Sequence, residues 1–461
     1  MLERMVVLGA GGDLMARYLL PALGRLLQLE RLPPGFSVLG ISQEPASDEA
    51  FRERMAEQLA RHAPDLHAPV RQDLVARLTY RQADVTDAGQ VARALPGVNE
   101  PLLVYLALPP AVYAGSINAL CDAGLAAGSR LVIEKPFGWD LASARDLNRL
   151  IAERLGEAAV FRIDHFLGMQ TVQNILGLRF ANRIFESLWN AVHVERVEIV
   201  WDETLTLEGR AGYYDAAGAL LDMIQNHLLQ LLCLVAMEPP QTLSERDLRD
   251  RKVDVLRAVR RLGPEEVDRQ TRRARYGAGR IGERRVPAYT GEPGVDPQRG
   301  TETFAEVMLF VGNWRWAGVP FILRSGKALE RDRREIAVHF RPVPHLAFEE
   351  EAAYPNILRL NLEPERLALA FNITGPGERF DLRETVLESP LNTTAPDAYS
   401  RLLLDALQGD STLAIRGDEA EEAWQIIEPI TRAWKAGHAS IDEYPAGSRG
   451  PTIPLRGVAP G

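Results

Sequence analysis

Met5-Val6-Val7-Leu8-Gly9-Ala10-Gly11-Gly12-Asp13-Leu14 decides the reading of the first half of the chain. A short apolar run, a turn rich in glycine and an amphipathic stretch reaching about Leu29 read as strand, tight turn and helix. Glycine there lets the backbone approach an anion, and the free N–H groups of the helix start favour negative charge. Such a turn in a sheet protein is often nothing more than a tight turn, and the usual third glycine would fall at Leu14. Its place between the first strand and the first helix favours a dinucleotide site, with Gly9, Gly11, Gly12, Asp13 and Leu14 as the cradle.

Working outward, Phe36–Ile41, Leu102–Leu106 and Leu131–Ile133 are further short apolar runs, with a helix-like segment at 111–127. Buried strands alternating with helices imply a doubly wound parallel sheet. From about residue 192 the period changes. Val197, Ile199 and Trp201 alternate with other residues, as do Ile336, Val338 and Phe340, then 357–362 and 367–373. That pattern predicts a large, mainly antiparallel sheet with one wet face. The expected architecture is α/β plus α+β: a Rossmann-like domain over 1–165 and a C-terminal α+β domain over 166–461.

Length and composition agree with two domains. The chain has 461 residues, 46% hydrophobic and 25% charged, with a net charge of −10 and a pI near 5.5. An acidic balance argues against a nucleic-acid partner gripped through phosphates. Cys121 and Cys233 are too few for a disulfide framework and suggest a reducing compartment. The N-terminus lacks a signal-peptide layout, and residues 216–237 carry Asp222, Gln225, Asn226, His227 and Gln230, costly in lipid. The expectation is a soluble, cytoplasmic protein without membrane partners. Residues 245–285, dense in Arg, Asp and Glu, read as a solvated helix plus a loop, because acids are interleaved.

The end of the second strand bears on which dinucleotide binds. Ser42-Gln43-Glu44 contains no cation, and Glu44 repels a phosphate while suiting ribose hydroxyls. NAD is favoured over NADP. Among eight histidines, His227 stands in a polar wedge, Gln225-Asn226-His227, within an apolar helix-like run. It is either a base or a structural histidine bonded in the core; each unsatisfied group of such a wedge would cost about 1–3 kcal/mol.

Ordered motifs run through the chain: Gly9–Leu14, Tyr105-Leu106-Ala107-Leu108-Pro109-Pro110, Glu134-Lys135-Pro136-Phe137-Gly138 and Arg162-Ile163-Asp164-His165-Phe166-Leu167-Gly168. Leu178–Arg183, Gly209-Arg210-Ala211-Gly212-Tyr213-Tyr214-Asp215, Asp222–Gln230, Arg324-Ser325-Gly326-Lys327 and Gly447–Pro451 continue the series. In these the chain resembles the glucose-6-phosphate dehydrogenase family over essentially its whole length. The resemblance implies a Rossmann domain followed by a large antiparallel sheet whose outer face makes a homodimer or a dimer of dimers. It implies oxidation of C1 of an aldohexose, with hydride passing to a nicotinamide and a lactone as product. His227 is implied as general base, oriented by Asp164; histidine suits this because its ordinary pKa lies near neutrality. Lys135, His165, Glu203, Asp222 and Lys327 are implied sugar contacts, with Lys135 also facing the nicotinamide. Only four lysines occur, Lys135, Lys252, Lys327 and Lys435, and two fall inside matched motifs. Pro136 is expected to fix a kinked, cis-compatible peptide. No metal is implied.

The chain departs from the family where charge is expected. The family motif Asp-His-Tyr-Leu-Gly-Lys reads Asp164-His165-Phe166-Leu167-Gly168-Met169, and a further cation position, five after Lys327, is Asp332. The family's Ser or Thr in the glycine turn is Gly11, and its Arg after the second strand is Gln43. The changes at 166, 169 and 332 favour an aldohexose without a 6-phosphate, or with another C6 group, while those at 11 and 43 remove the usual 2′-phosphate anchors and again favour NAD. The alternative is a true glucose-6-phosphate 1-dehydrogenase of the pentose phosphate pathway with a rearranged phosphate site; a non-catalytic regulatory homologue is a further one. The Gfo/Idh/MocA oxidoreductases share a Glu-Lys-Pro motif but leave the other segments unexplained.

Overall fold

β1 (Arg4–Leu8) is buried at every residue except Arg4, because it lies inside a sheet covered on both faces. It pairs in parallel with β2 (Ser37–Ser42) on one side and β4 (Leu103–Leu106) on the other. With β3 (Leu78–Gln82), β5 (Arg130–Glu134) and β6 (Val160–Ile163) the order is β3-β2-β1-β4-β5-β6, so the winding reverses between β1 and β4. In sheets of this order, ligands bind beyond the carboxyl ends of the strands at that reversal. The computed structural model describes residues 1–95, 100–209, 211–348, 353–375, 377, 380–391 and 397–451. Arg210 of the Gly209–Asp215 motif lies outside the described residues.

The chain forms two compact units. The first comprises Met1–Met169 together with Pro240–Arg249 and Thr393–Glu421. α1 (Leu20–Gln28) and α2 (Asp48–His62) cover the sheet, and the distant helix Ala398–Gln408 packs Leu402, Leu403, Ala406 and Leu407 into the same core. That helix is capped by Asp397, which also pairs with Arg25 of α1 at 2.8 Å. Nothing in local periodicity marks this return.

The second unit holds a nine-stranded sheet. Its strands are β7 (Val194–Asp202), β8 (Thr271–Gly277), β11 (Phe304–Phe310), β12 (Pro320–Gly326), β13 (Arg333–Phe340), β14 (Ile357–Leu362), β15 (Glu365–Thr374), β16 (Leu382–Pro390) and β17 (Ile441–Pro445). The order is β16-β15-β14-β13-β7-β12-β11-β8-β17, and β9 (Gly279–Ile281) and β10 (Arg284–Val286) form a separate hairpin. Pairing is antiparallel except at β7–β12 and β8–β17. β7, central in the sheet, is buried without a break from Ile199 to Asp202, so the single wet face read from its alternation is not found there. The loop expected within 245–285 is likewise largely strand: Arg272 and Arg273 lie on β8, and Arg284 and Arg285 on β10. Charges in this segment are taken up by neighbours, as in Arg251–Asp254, Arg261–Glu422 and Arg284–Glu208.

Ala211–Ala236 is long and apolar enough to span a membrane, but 89% of its most apolar 18-residue stretch is buried. Its last segment, Leu229–Ala236, ends among the donors that its orphan carbonyls need. Arg179 donates to Leu234 O and Met237 O at 2.9 and 2.8 Å, and the indoles of Trp189 and Trp316 donate to Val235 O and Ala236 O at 2.7 Å each. A fully buried cation at the negative end of a helix is thereby both satisfied and useful. Burial pulls Arg179 down to about 10, still protonated at neutral pH.

Candidate active site

In the first unit the chemistry-bearing residues collect at the carboxyl ends of the parallel strands. Gly9, after β1, has φ +84°, and a Cβ there would overlap the carbonyl of Ala107 after β4. Only glycine fits this close approach. The chain then turns straight into a helix that starts at Asp13 and is wound wide over Met15–Leu19, where Leu20 N–H reaches back five residues to Met15 O. A tight, side-chain-free turn at the start of a helix fits a pyrophosphate, and Gly12 and Asp13 lie exposed beside it. Lys135 follows β5, and its peptide bond to Pro136 is cis, as the sequence allowed.

Behind Lys135, Glu134 accepts from Tyr105 Oη at 2.6 Å, and Tyr113 Oη donates to the Glu134 carbonyl at 3.1 Å. Burial pushes this carboxyl up to about 7, against the hydrogen bond from Tyr105. After β6, Asp164 is fully buried and its Oδ1 caps the turn His165–Gly168 by accepting Phe166 N–H at 2.9 Å. His165 stacks on Tyr399 from the returning segment, with centroids 5.7 Å apart and planes inclined by 13°.

In the second unit His227 lies 1% exposed on the helix Leu220–Leu228. This helix is wound wide: Leu229 N–H reaches Ile224 O, five residues back. In an ordinary α-helix residues five apart point about 140° away from each other. Five-residue hydrogen bonding brings them nearly above one another, so Asp222 and His227 share a face; wide turns of this kind are frequent at functional sites.

The helix start is also constrained. Gly218 has φ +67°, and a Cβ there would overlap the carboxylate of Glu302, whose Oε1 accepts Leu220 N–H at 3.0 Å. An acid at a helix N-terminus is well placed electrostatically. Burial nevertheless raises Glu302 to about 7.

Glu203, just beyond β7, binds Lys327 Nζ at 2.7 Å. That ammonium lies 5.2 Å from the centre of the Tyr214 ring, and Tyr213 Oη donates to Asp222 Oδ1 at 3.4 Å. The backbone of Lys327 is fixed from both sides, with its N–H on Thr303 O at 2.9 Å and its carbonyl accepting Tyr444 Oη at 2.6 Å. Within this unit, then, Lys327 bonds Glu203 directly, and Asp222 and His227 share the wide helix; Lys135, Asp164 and His165 line the strand ends of the other unit. Sequence reasoning missed Glu302 and Gly218, which start the helix, and Tyr399, which stacks on His165.

The altered positions have partners of their own. Asp332 accepts Thr204 N–H at 2.7 Å and pairs with Arg334 at 3.3 Å. Arg333 is held by Glu198 and Glu335 at 2.7 and 2.8 Å, and although burial pulls it down, these acids keep it above its usual range. Arg331 is exposed.

Residues 6–174 match the family model described as glucose-6-phosphate dehydrogenase, NAD binding domain, and residues 176–456 match glucose-6-phosphate dehydrogenase, C-terminal domain. The chain belongs to the glucose-6-phosphate dehydrogenase family. It is 41% identical to the glucose-6-phosphate 1-dehydrogenase of Treponema pallidum over 99% of this chain and 94% of that protein. It is 39% identical to that of Zymomonas mobilis, over 98% of this chain and 96% of the relative. A glucose-6-phosphate dehydrogenase solved in complex with its substrate glucose-6-phosphate superposes with a TM-score of 0.88 at 31% identity, covering 97% and 95% of the two chains. The Mycobacterium avium enzyme gives 0.85 at 34%, covering 98% and 96%. The chain is thus an oxidoreductase that works with a nicotinamide cofactor. These relatives favour the phosphorylated sugar over the free or C6-modified aldohexose expected from the departures at 166, 169 and 332.

Proposed function

We propose that this family member oxidises C1 of glucose 6-phosphate to the lactone, as a glucose-6-phosphate 1-dehydrogenase with rearranged contacts to the 6-phosphate. The observation that carries this reading is the wide-wound helix, which gives a buried imidazole and a carboxylate one common face in a chain so similar to enzymes of that name. His227 takes the proton of the C1 hydroxyl, and Asp164 steadies the resulting imidazolium. Asp222, Glu203 and Lys327 read ring hydroxyls, the Lys327–Glu203 pair fixing the ammonium's direction. Lys135 and His165 complete the sugar contacts.

When bound, the cofactor supplies the hydride acceptor; Gly9, Gly11, Gly12, Asp13, Leu14 and Lys135 would hold it, with 1–165 as its domain and 166–461 as the sugar domain. Uncharged Gln43 and the acid Glu44 support use of NAD. Cytoplasmic location belongs to the same proposal. So does pairing of copies through the large sheet, supported by exposed Ile373, Val386 and Leu387 on its outer strands.

The test follows reduced nicotinamide with NAD and NADP crossed against glucose and glucose 6-phosphate. A kcat/KM for glucose 6-phosphate at least tenfold above that for glucose is expected. A preference for glucose would return the reading to a free aldohexose.

A further inference from the structure

Beside the glycine turn the fold brings in a cation that the strand end itself lacks. Arg54, in the second turn of α2, lies with its Cζ 5.7 Å from the centre of the Phe51 ring, and Nη1 donates to Glu44 Oε2 at 3.3 Å. The pair stands against Gly11: a Cβ there would lie 3.0 Å from Glu44 Oε2, 3.3 Å from Ser42 Oγ and 3.5 Å from Arg54 Nη2. A carboxylate, a hydroxyl and a guanidinium therefore meet on one side of the turn, all within the first unit. They meet at the end of β2, where this fold reads the adenosine ribose.

The side chains of Arg54 and Glu44 are 37% and 67% exposed, and an exposed single-point ion pair is weak enough to exchange partners. A 2′-hydroxyl can donate to a carboxylate. A 2′-phosphate has no proton to give a carboxylate, but it accepts two N–H groups from one guanidinium.

We propose that Glu44 and Arg54 form a two-way selector for the ribose 2′ group. Glu44 accepts from the hydroxyl of the unphosphorylated dinucleotide, and Arg54 leaves Glu44 to clasp a 2′-phosphate, so the chain accepts both cofactors. The selector rests on the dinucleotide reading of the glycine turn. A Cβ at position 11 would crowd the Glu44 carboxylate, 3.0 Å away, so the glycine leaves that carboxylate its present place.

Calorimetry with adenosine 2′,5′-bisphosphate and with ADP tests this directly. Arg54→Gln is expected to weaken the bisphosphate at least tenfold while ADP stays within threefold, with Arg54→Lys intermediate. Glu44→Gln is expected to strengthen the bisphosphate several-fold and weaken ADP. The ratio of kcat/KM for NADP over NAD should follow the same order. If both nucleotides bind and the ratio moves less than twofold in Arg54→Gln, the selector is wrong while the dinucleotide site stands. If the unaltered protein binds neither nucleotide, the reading of the glycine turn falls first.

Discussion

Gly218→Ala should disable the enzyme from a position that need never touch a substrate. The added methyl would overlap the Glu302 carboxylate, and the backbone there has φ +67°. Holding a non-glycine residue in that conformation costs about 1–2 kcal/mol. Displacing the carboxylate from Leu220 N–H, a charge-assisted bond of 3.0 Å, costs about 1.5–3 kcal/mol more. The expected loss of unfolding free energy is about 3–5 kcal/mol by chemical denaturation at pH 8. In a Glu302→Ala background the overlap is gone, so the same substitution should cost only the backbone share, leaving a coupling of about 2 kcal/mol. Because His227 lies on the helix this cap starts, turnover should slow on the order of 100-fold, the scale expected for a displacement near 1 Å. Additive costs within about 0.5 kcal/mol, or unchanged turnover, would refute the cap as what positions the helix.

Glu302 has an ordinary value of 4.5 raised to about 7, so the fold favours its protonated form and stability should fall as pH rises from about 4.5 to 7. Relative to Glu302→Gln, which keeps an acceptor for Leu220 N–H, the unaltered protein should lose about 3 kcal/mol between pH 4.5 and 8 in denaturant titrations; parallel pH profiles would contradict the burial argument. Arg179→Met should cost about 3 kcal/mol or more by the same titration, since it leaves the carbonyls of Leu234 and Met237 buried without their donor. Met169→Lys should raise the kcat/KM ratio for glucose 6-phosphate over glucose several-fold; an unmoved ratio in the crossed assay would mean that position 169 does not face C6.

The parallel sheet was legible in the sequence because its strands are short, apolar and punctuated by glycine. Leu103–Leu106 and Arg130–Glu134 fall within a residue or two of the runs at 102–106 and 131–133. The helix Ala398–Gln408 was not assigned to that core, since a helix's apolar face does not say which distant surface it will cover. Asp222 and His227 were recognisable as residue types in a motif. Their shared face was not, because a period of 3.6 sets them on different sides and only the wide winding reunites them. Arg54 escaped for a related reason: it is ten residues from Glu44 in sequence, and tertiary folding alone returns it to the strand end.

The proposed reaction turns on one buried imidazole, His227, taking the proton of the C1 hydroxyl as hydride leaves C1. The most direct measurement is the turnover of glucose 6-phosphate by His227→Asn, alongside the sugar's dissociation constant and the thermal stability of the variant. Turnover is predicted to slow by about two to four orders of magnitude, the range that general-base catalysis contributes, with sugar binding within about fivefold and the melting temperature little changed. A variant retaining more than a tenth of the original turnover would contradict it.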